Sequence, residues 1–205
     1  MRTGSFIFTF SPGERIAFDL LEINKNNLTI LGVDYFTRKM FGRHLQSKES
    51  RKILQFIKEI HLELPIKTLI TDNGREFNNK SLDKFCTDNR IERQFSVPYY
   101  HQSNGRIEGA NKTIRGGIKH AKKPIKSILA KIISGYNGTC HWGIGMTPNE
   151  AMKTSNRVEI PKHQDKYAEE FKRKKKNLVK CIKQEITFFL KRKYGTQKWI
   201  TNLKK

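Results

Sequence analysis

Three acidic residues stand where they could do chemistry together. Asp19 lies in IAFDLLEI, Asp72 in LITDNGREF and Glu108 in SNGRIEGANKTI. Between Asp72 and Glu108 there are 35 residues. Each acid falls on an expected strand, at a strand's end, or on an expected helix. Carboxylates brought together from such places are hard oxygen ligands. They suit Mg²⁺ or Mn²⁺, which keep positions open for phosphate and water. Two such ions about 3.5–4 Å apart can activate a nucleophile and stabilise the leaving oxygen of a phosphoryl displacement. Each acid also has a plainer reading. Asp19 could be an edge-strand carboxylate facing water, although Asp is depleted in strands and its neighbours are apolar. Asp72-Asn73-Gly74 makes a good turn by itself. Glu108 could simply complement a helix dipole.

The elements that must position these acids can be read from the pattern of apolar residues. Glu14 to Ile23 predicts a strand with Ile16, Phe18 and Leu20 on one face and Asp19 on the other. Asn24 to Asn27 is turn chemistry. Leu28 to Val33 reads as a central strand and Lys39 to Leu45 as a third, completing an antiparallel meander. Ser47 is placed to cap a helix carrying Ile53, Leu54, Ile57, Ile60 and Leu64, which Pro65 ends. Lys67 to Thr71 is a short buried strand. A small helix follows Asn78-Asn79, stopping near Asn89, and Ile91 to Phe95 is a further strand. Ser96 to Asn104 predicts a mobile loop. A helix is expected from Gly105 to about His120, with Gly116-Gly117 weakening its late turns. Ile125 to Tyr136 predicts another helix. Thr147-Pro148-Asn149-Glu150 is a capping box with proline in the first turn. After Pro161 the spacing of Tyr167, Phe171, Leu178, Ile182, Ile186 and Phe189 predicts a long basic helix. This order gives an α/β protein with a mixed sheet flanked by helices.

Charge narrows the partner. Among 205 residues there are 41 Lys and Arg against 19 Asp and Glu, a net of +22. Such an excess calls for a polyanion, and nucleic acid is the commonest. An anionic membrane surface fits less well, because no amphipathic Trp-rich helix accompanies the charge. No apolar run approaches the roughly 18 residues of a membrane span. The N-terminus has too short an apolar block for a signal peptide. Residues 152–205 hold 17 basic against 5 acidic side chains, a net of +12, and read as an extension. Within it Lys172 to Lys176, KRKKK, is the densest run. It resembles a nuclear-import signal and also suits phosphate contacts, while a solvated helix face is its plainer reading. Cys86, Cys140 and Cys181 form no CxxC pair. A reduced intracellular compartment and no zinc site are expected.

The segments ERIAFDLLEI, GVDYFTRK, ITDNGREF and PYYHQSNGRIEGANKTI, with GMTPNEAM beyond them, resemble the catalytic core of retroviral and LTR-retrotransposon integrases. The likeness is strongest to the gypsy-type members of this DDE family and covers about residues 14–152. It implies a ribonuclease-H-like fold. It divides the chain into a linker remnant (1–13), the catalytic core (14–152) and a basic, mostly helical C-terminal extension (153–205). It implies that Asp19, Asp72 and Glu108 are catalytic and hold Mg²⁺ or Mn²⁺. It implies DNA contacts from Tyr99, Gln102 and Asn104 in the loop, and from Asn111, Lys112, Arg115 and Lys119 on the helix after it. A solvated basic face is the plainer reading of those helix residues. Asp34, in GVDYFTR, is an acid that in this family is usually not a ligand.

The implied activity is DNA integration: processing of an element's 3′ ends and their joining to target DNA, in the nucleus, by a homo-oligomer. The alternative is a catalytically weakened or inactive DNA-binding remnant. His101 stands where the family commonly has proline, and Gly109 where arginine often follows the glutamate. Gly109, Gly116 and Gly117 soften the helix that holds Glu108. The family's zinc-binding N-terminal domain is not expected, and the chain starts where the linker after it would run. A cellular ribonuclease H is a more distant reading, since TDNG with SNG-x-x-E belongs to the integrase branch. The basic tail is expected to add DNA affinity without sequence selectivity.

Overall fold

The computed structural model describes residues 8–24, 27–96 and 101–153, then 157, 159–166, 168–170 and 173; of 101–104 it describes the backbone alone. The chain divides into two compact units, 1–164 and 165–205. In the second, the described residues 165–166, 168–170 and 173 are helical. Most of the expected basic helix, including Lys172 and Lys174 to Lys176, lies outside the described residues.

The first unit is built on a sheet of five strands in the order β3-β2-β1-β4-β5. β1 (Arg15–Asn24), β2 (Asn27–Asp34) and β3 (Met40–Leu45) form the antiparallel meander. β4 (Thr68–Thr71) and β5 (Glu92–Phe95) join it in parallel, β4 beside β1. Asp19 therefore stands on the central strand and not at an edge.

Alternation along β1 separates two cores. Ile16 and Phe18 face one way, with Ile30 and Leu69, toward α1 (Ser50–Glu63) and α2 (Lys80–Asp88). Ile53, Phe56, Ile57 and Ile60 of α1 and Leu82 and Cys86 of α2 bury their apolar stripes there. Ala17 and Leu21 face the other way, with Leu31, Val33 and Ile70. They meet Ile107, Ala110 and Ile114 of α3 (His101–Ala121) and Ile125 and Leu129 of α4 (Ile125–Asn137). A small third cluster joins Phe36, Ile144, Ala151 and Ile160 beside α5 (Pro148–Ala151).

Local signals set most boundaries. The Asn79 side chain accepts the Leu82 N–H and starts α2. Thr147 and Glu150 close the expected capping box around Pro148. Ser47 does not cap α1; that place belongs to Glu49, and the Ser47 hydroxyl donates to the Glu49 carboxylate instead. α3 begins at His101, so His101 to Asn104 are helical backbone where a loop was expected. No Cβ clash marks Gly109 or Gly116, but a Cβ at Gly117 would meet Ile132 Cδ1 of α4 at 2.7 Å. Gly117 is thus the close-approach point of two helices. The helix runs through all three glycines without a break.

At the outer edge of β3 a side chain pairs the first residue, Met40. Asn137, at the end of α4, accepts the Met40 N–H and donates to the Met40 carbonyl, both at 2.9 Å. Among the described residues no helix is long and apolar enough to cross a membrane.

Candidate active site

The register of the parallel pair brings the first two acids together. Ala17 of β1 stands opposite Ile70 of β4. Asp72 directly follows the last residue of β4, and Asp19 lies two residues further along β1, on the face of Ala17. That side is covered by α3. The pairing is felt electrostatically: the Asp72 carboxyl is pushed above its ordinary range by partial desolvation first, then by Asp19 and Glu76, against the pull of the Gly74 N–H. Asp72 does make the turn that its sequence suggests, with Oδ1 accepting from Gly74 N at 3.1 Å. The turn aims the acid from a strand end; the two readings coincide.

Asp19 is half-buried and held on both oxygens. Oδ1 accepts from Leu20 N at 2.8 Å, and Oδ2 accepts from Asn111 Nδ2 at 2.5 Å. Asn111 reaches it because Ile107, Ala110 and Ile114 seat α3 on the sheet, leaving residues 108, 111 and 115 along one flank. The amide has a definite orientation, since its NH₂ must face the carboxylate. Its Oδ1 is then buried with no partner. Glu108 is one turn earlier on that flank and half-exposed. Its charge is felt at Tyr35, whose hydroxyl burial pushes upward in pKa.

Among the described residues, no group of three or more His, Cys, Asp or Glu side chains is close enough to hold an ion together. The assembled part is the Asp19–Asp72 pair with Asn111. Like charges resist closer approach, and Asp19 is satisfied meanwhile by an amide. The oxygens present still fit a hard divalent cation. They include two adjacent carboxylates, a third on the flank above, and the orphaned amide oxygen of Asn111, which lacks only an electropositive neighbour.

The remaining expected residues fall into three groups. Lys112 and Lys119 are exposed, with no ion-pair partner among the described residues. Arg115 is exposed, yet its Nη2 donates to the Glu22 carbonyl at 3.1 Å, which pins it to β1. Gln102 and Asn104 sit in the first turn of α3, and Tyr99 lies outside the described residues. Asn111 turns inward to Asp19, a role that its place on a basic helix did not reveal.

Two further residues escaped the sequence reading. Glu76 is a fourth carboxylate close enough to act on Asp72. Its position in TDNGREF was the available signal. Arg106 stacks on Tyr35, 4.4 Å from the ring centre, and donates to the Tyr35 carbonyl at 2.6 Å. It ties the start of α3 to the end of β2, and so helps to fix where Glu108 stands.

Asp34 shows the opposite fate. It is fully buried. Its Oδ1 accepts from Gly13 N at 3.0 Å, and its Oδ2 accepts from Thr37 N and Oγ1 at 2.7 Å each. Burial pushes its carboxyl up in pKa in spite of those bonds. Gly13 has φ +76°, and a Cβ there would stand 2.1 Å from the Pro65 carbonyl oxygen. Only glycine can bring its N–H to this carboxylate.

No family model matches the chain. Among solved structures it is similar to the catalytic core domain of BIV integrase, with a TM-score of 0.60 and 17% identity over 76% of this chain and 99% of that one. It is also similar to a chain of the simian T-cell lymphotropic virus intasome in complex with PP2A regulatory subunit B56 gamma. There the TM-score is 0.65 at 18% identity, over 73% of this chain. This chain spans only 58% of that one's length. The fold is that of an integrase catalytic core: a mixed five-stranded, ribonuclease-H-like sheet flanked by helices.

Proposed function

We infer that this chain is the catalytic core of a gypsy-type LTR-retrotransposon integrase, a polynucleotidyl transferase that trims element 3′ DNA ends and joins them to target DNA. The observation that carries the reading is the approach of Asp19, on β1, and Asp72, just past the end of the adjacent parallel strand β4, with Asn111 of α3 bound to Asp19. Asp19, Asp72 and Glu108 would hold Mg²⁺ or Mn²⁺, which when bound activates the attacking oxygen and steadies the leaving one. Asn111 fixes the rotamer of Asp19. Lys112 and Lys119, facing outward, are placed to neutralise phosphates, with Arg115 between them. Tyr99, Gln102 and Asn104 would approach the DNA end. The net charge of +22 draws the duplex in, and the Lys172 to Lys176 run would serve nuclear import. A homo-oligomer would hold two DNA ends at once.

The test is end processing and strand transfer on duplex oligonucleotides with Mn²⁺. Nicked and joined products from the wild-type chain, absent with Asp72→Asn, are expected. Tight duplex binding with no product from the wild-type chain would make it a DNA-binding remnant instead.

A further inference from the structure

The sheet face away from the acids carries a groove that catalysis does not use. It lies between α1 and α2 and encloses about 510 Å³. Leu54, Leu62 and Phe85 give it an apolar lining, and Leu62 is 84% exposed. One lysine stands on each helix, Lys58 on α1 and Lys84 on α2. Lys58 Nζ sits 5.5 Å from the centre of the Phe85 ring and has no carboxylate partner among the described residues. Among the described residues Lys84 pairs only with Asp88, at 3.2 Å, and both are exposed, so that pair is weak. His61 adds a third donor. Its Nδ1 accepts the Ile66 N–H at 3.1 Å, which leaves the proton on Nε2. Its ring meets Phe85 edge-on and helps to hold the aromatic in place.

The groove therefore offers hydrogen-bond donors and positive charge around an apolar strip. We propose that it docks an acidic peptide segment bearing an aliphatic or aromatic anchor, with the anchor between Leu54, Leu62 and Phe85 and carboxylates at Lys58, His61 and Lys84. Nucleic acid fits less well. A phosphate backbone gains nothing from the exposed apolar surface of Leu62. An amphipathic helix in a groove is a recurring mode of peptide recognition. The groove is on the α1–α2 side and the acids are on the α3 side, so both could be occupied together.

The test uses the full chain and a fluorescein-labelled peptide of about twelve residues, with leucines at helical spacing and flanking glutamates. Anisotropy should report binding. Lys58→Glu with Lys84→Glu should weaken it about tenfold or more, while Lys126→Glu with Lys131→Glu on α4 should change it less than about twofold. Leu62→Ser, which leaves every charge in place, should also weaken it. Equal losses from both charge reversals would mean that net charge alone attracts the peptide. Displacement of the peptide by duplex DNA, with an equal loss of duplex affinity in Lys58→Glu/Lys84→Glu, would make the groove a nucleic-acid contact. Either result overturns the proposal. If the double reversal does not fold, unaltered binding by Leu62→Ser overturns it as well.

Discussion

Asp19 and Asp34 lie on paired strands and look alike in sequence, each set among apolar neighbours. Their surroundings are opposite. Asp34 receives three hydrogen bonds from this chain's own backbone and Thr37, and no water reaches it. Asp19 is half-open, with a second carboxylate beside it and an amide oxygen nearby that has no donor. An acid that the protein satisfies completely is a strut. One left among other acceptors is a place where something positive belongs. Residue type does not separate the two; burial and the acceptors left beside Asp19 do.

The sharpest way to break this comparison is to neutralise each acid. Asp19→Asn or Asp72→Asn should bring strand transfer below detection, and Asp72→Asn, at an exposed position, should leave thermal unfolding within about 0.5 kcal/mol of wild type. Retained Mn²⁺-dependent transfer in either variant would remove that residue from the site. Asp34→Asn should do the reverse. Its new NH₂ must face an N–H or hydroxyl donor, at a cost of about 1–3 kcal/mol in urea unfolding. Transfer per folded molecule should not change.

Asn111→Leu tests the link between the acids and α3. It keeps the bulk but cannot donate to Asp19. A loss of about 10–100-fold in Mn²⁺ affinity, read by titration calorimetry with stability unchanged, is expected. Affinity equal to wild type would show that Asp19 needs no orienting partner. The smallest effect concerns the helix itself. Gly116→Ala has open space and should stabilise the fold by up to about 1 kcal/mol. Gly117→Ala should not, because Ile132 is in the way. Equal gains at both positions would mean that α3 and α4 can separate freely.

Much of this was legible because it is local. The meander, the Asn79 cap, the Thr147–Glu150 box and the stop at Pro65 each depend on a few neighbouring residues. The places of Asp19 on a strand, Asp72 at a strand's end and Glu108 on a helix were legible from the apolar pattern, while their joint role rests on the resemblance. The contact of Asn111 with Asp19 was not, because it spans 92 positions and depends on how α3 rotates over the sheet. Asn137 was hidden for the same reason, with its partner Met40 lying 97 positions away. Ser47 misled because α1 starts only at Ser50, so the N-cap position falls on Glu49, whose side chain makes no capping hydrogen bond. His101 to Asn104 misled because turn-forming residue types were carried into a helix whose apolar face begins only at Ile107.

Asn137 also bears on how the chain matures. Its amide gives Met40 the donor and acceptor of an absent neighbouring strand. During synthesis β3 emerges long before α4, so for that interval its outer edge is an open template for another chain. Met40 gains its outer partner only when the end of α4 folds back over it. A nascent chain stalled between residues 45 and 137 would be prone to aggregate, and Asn137→Asp, which loses the donor, should leave the finished protein stickier without touching its chemistry.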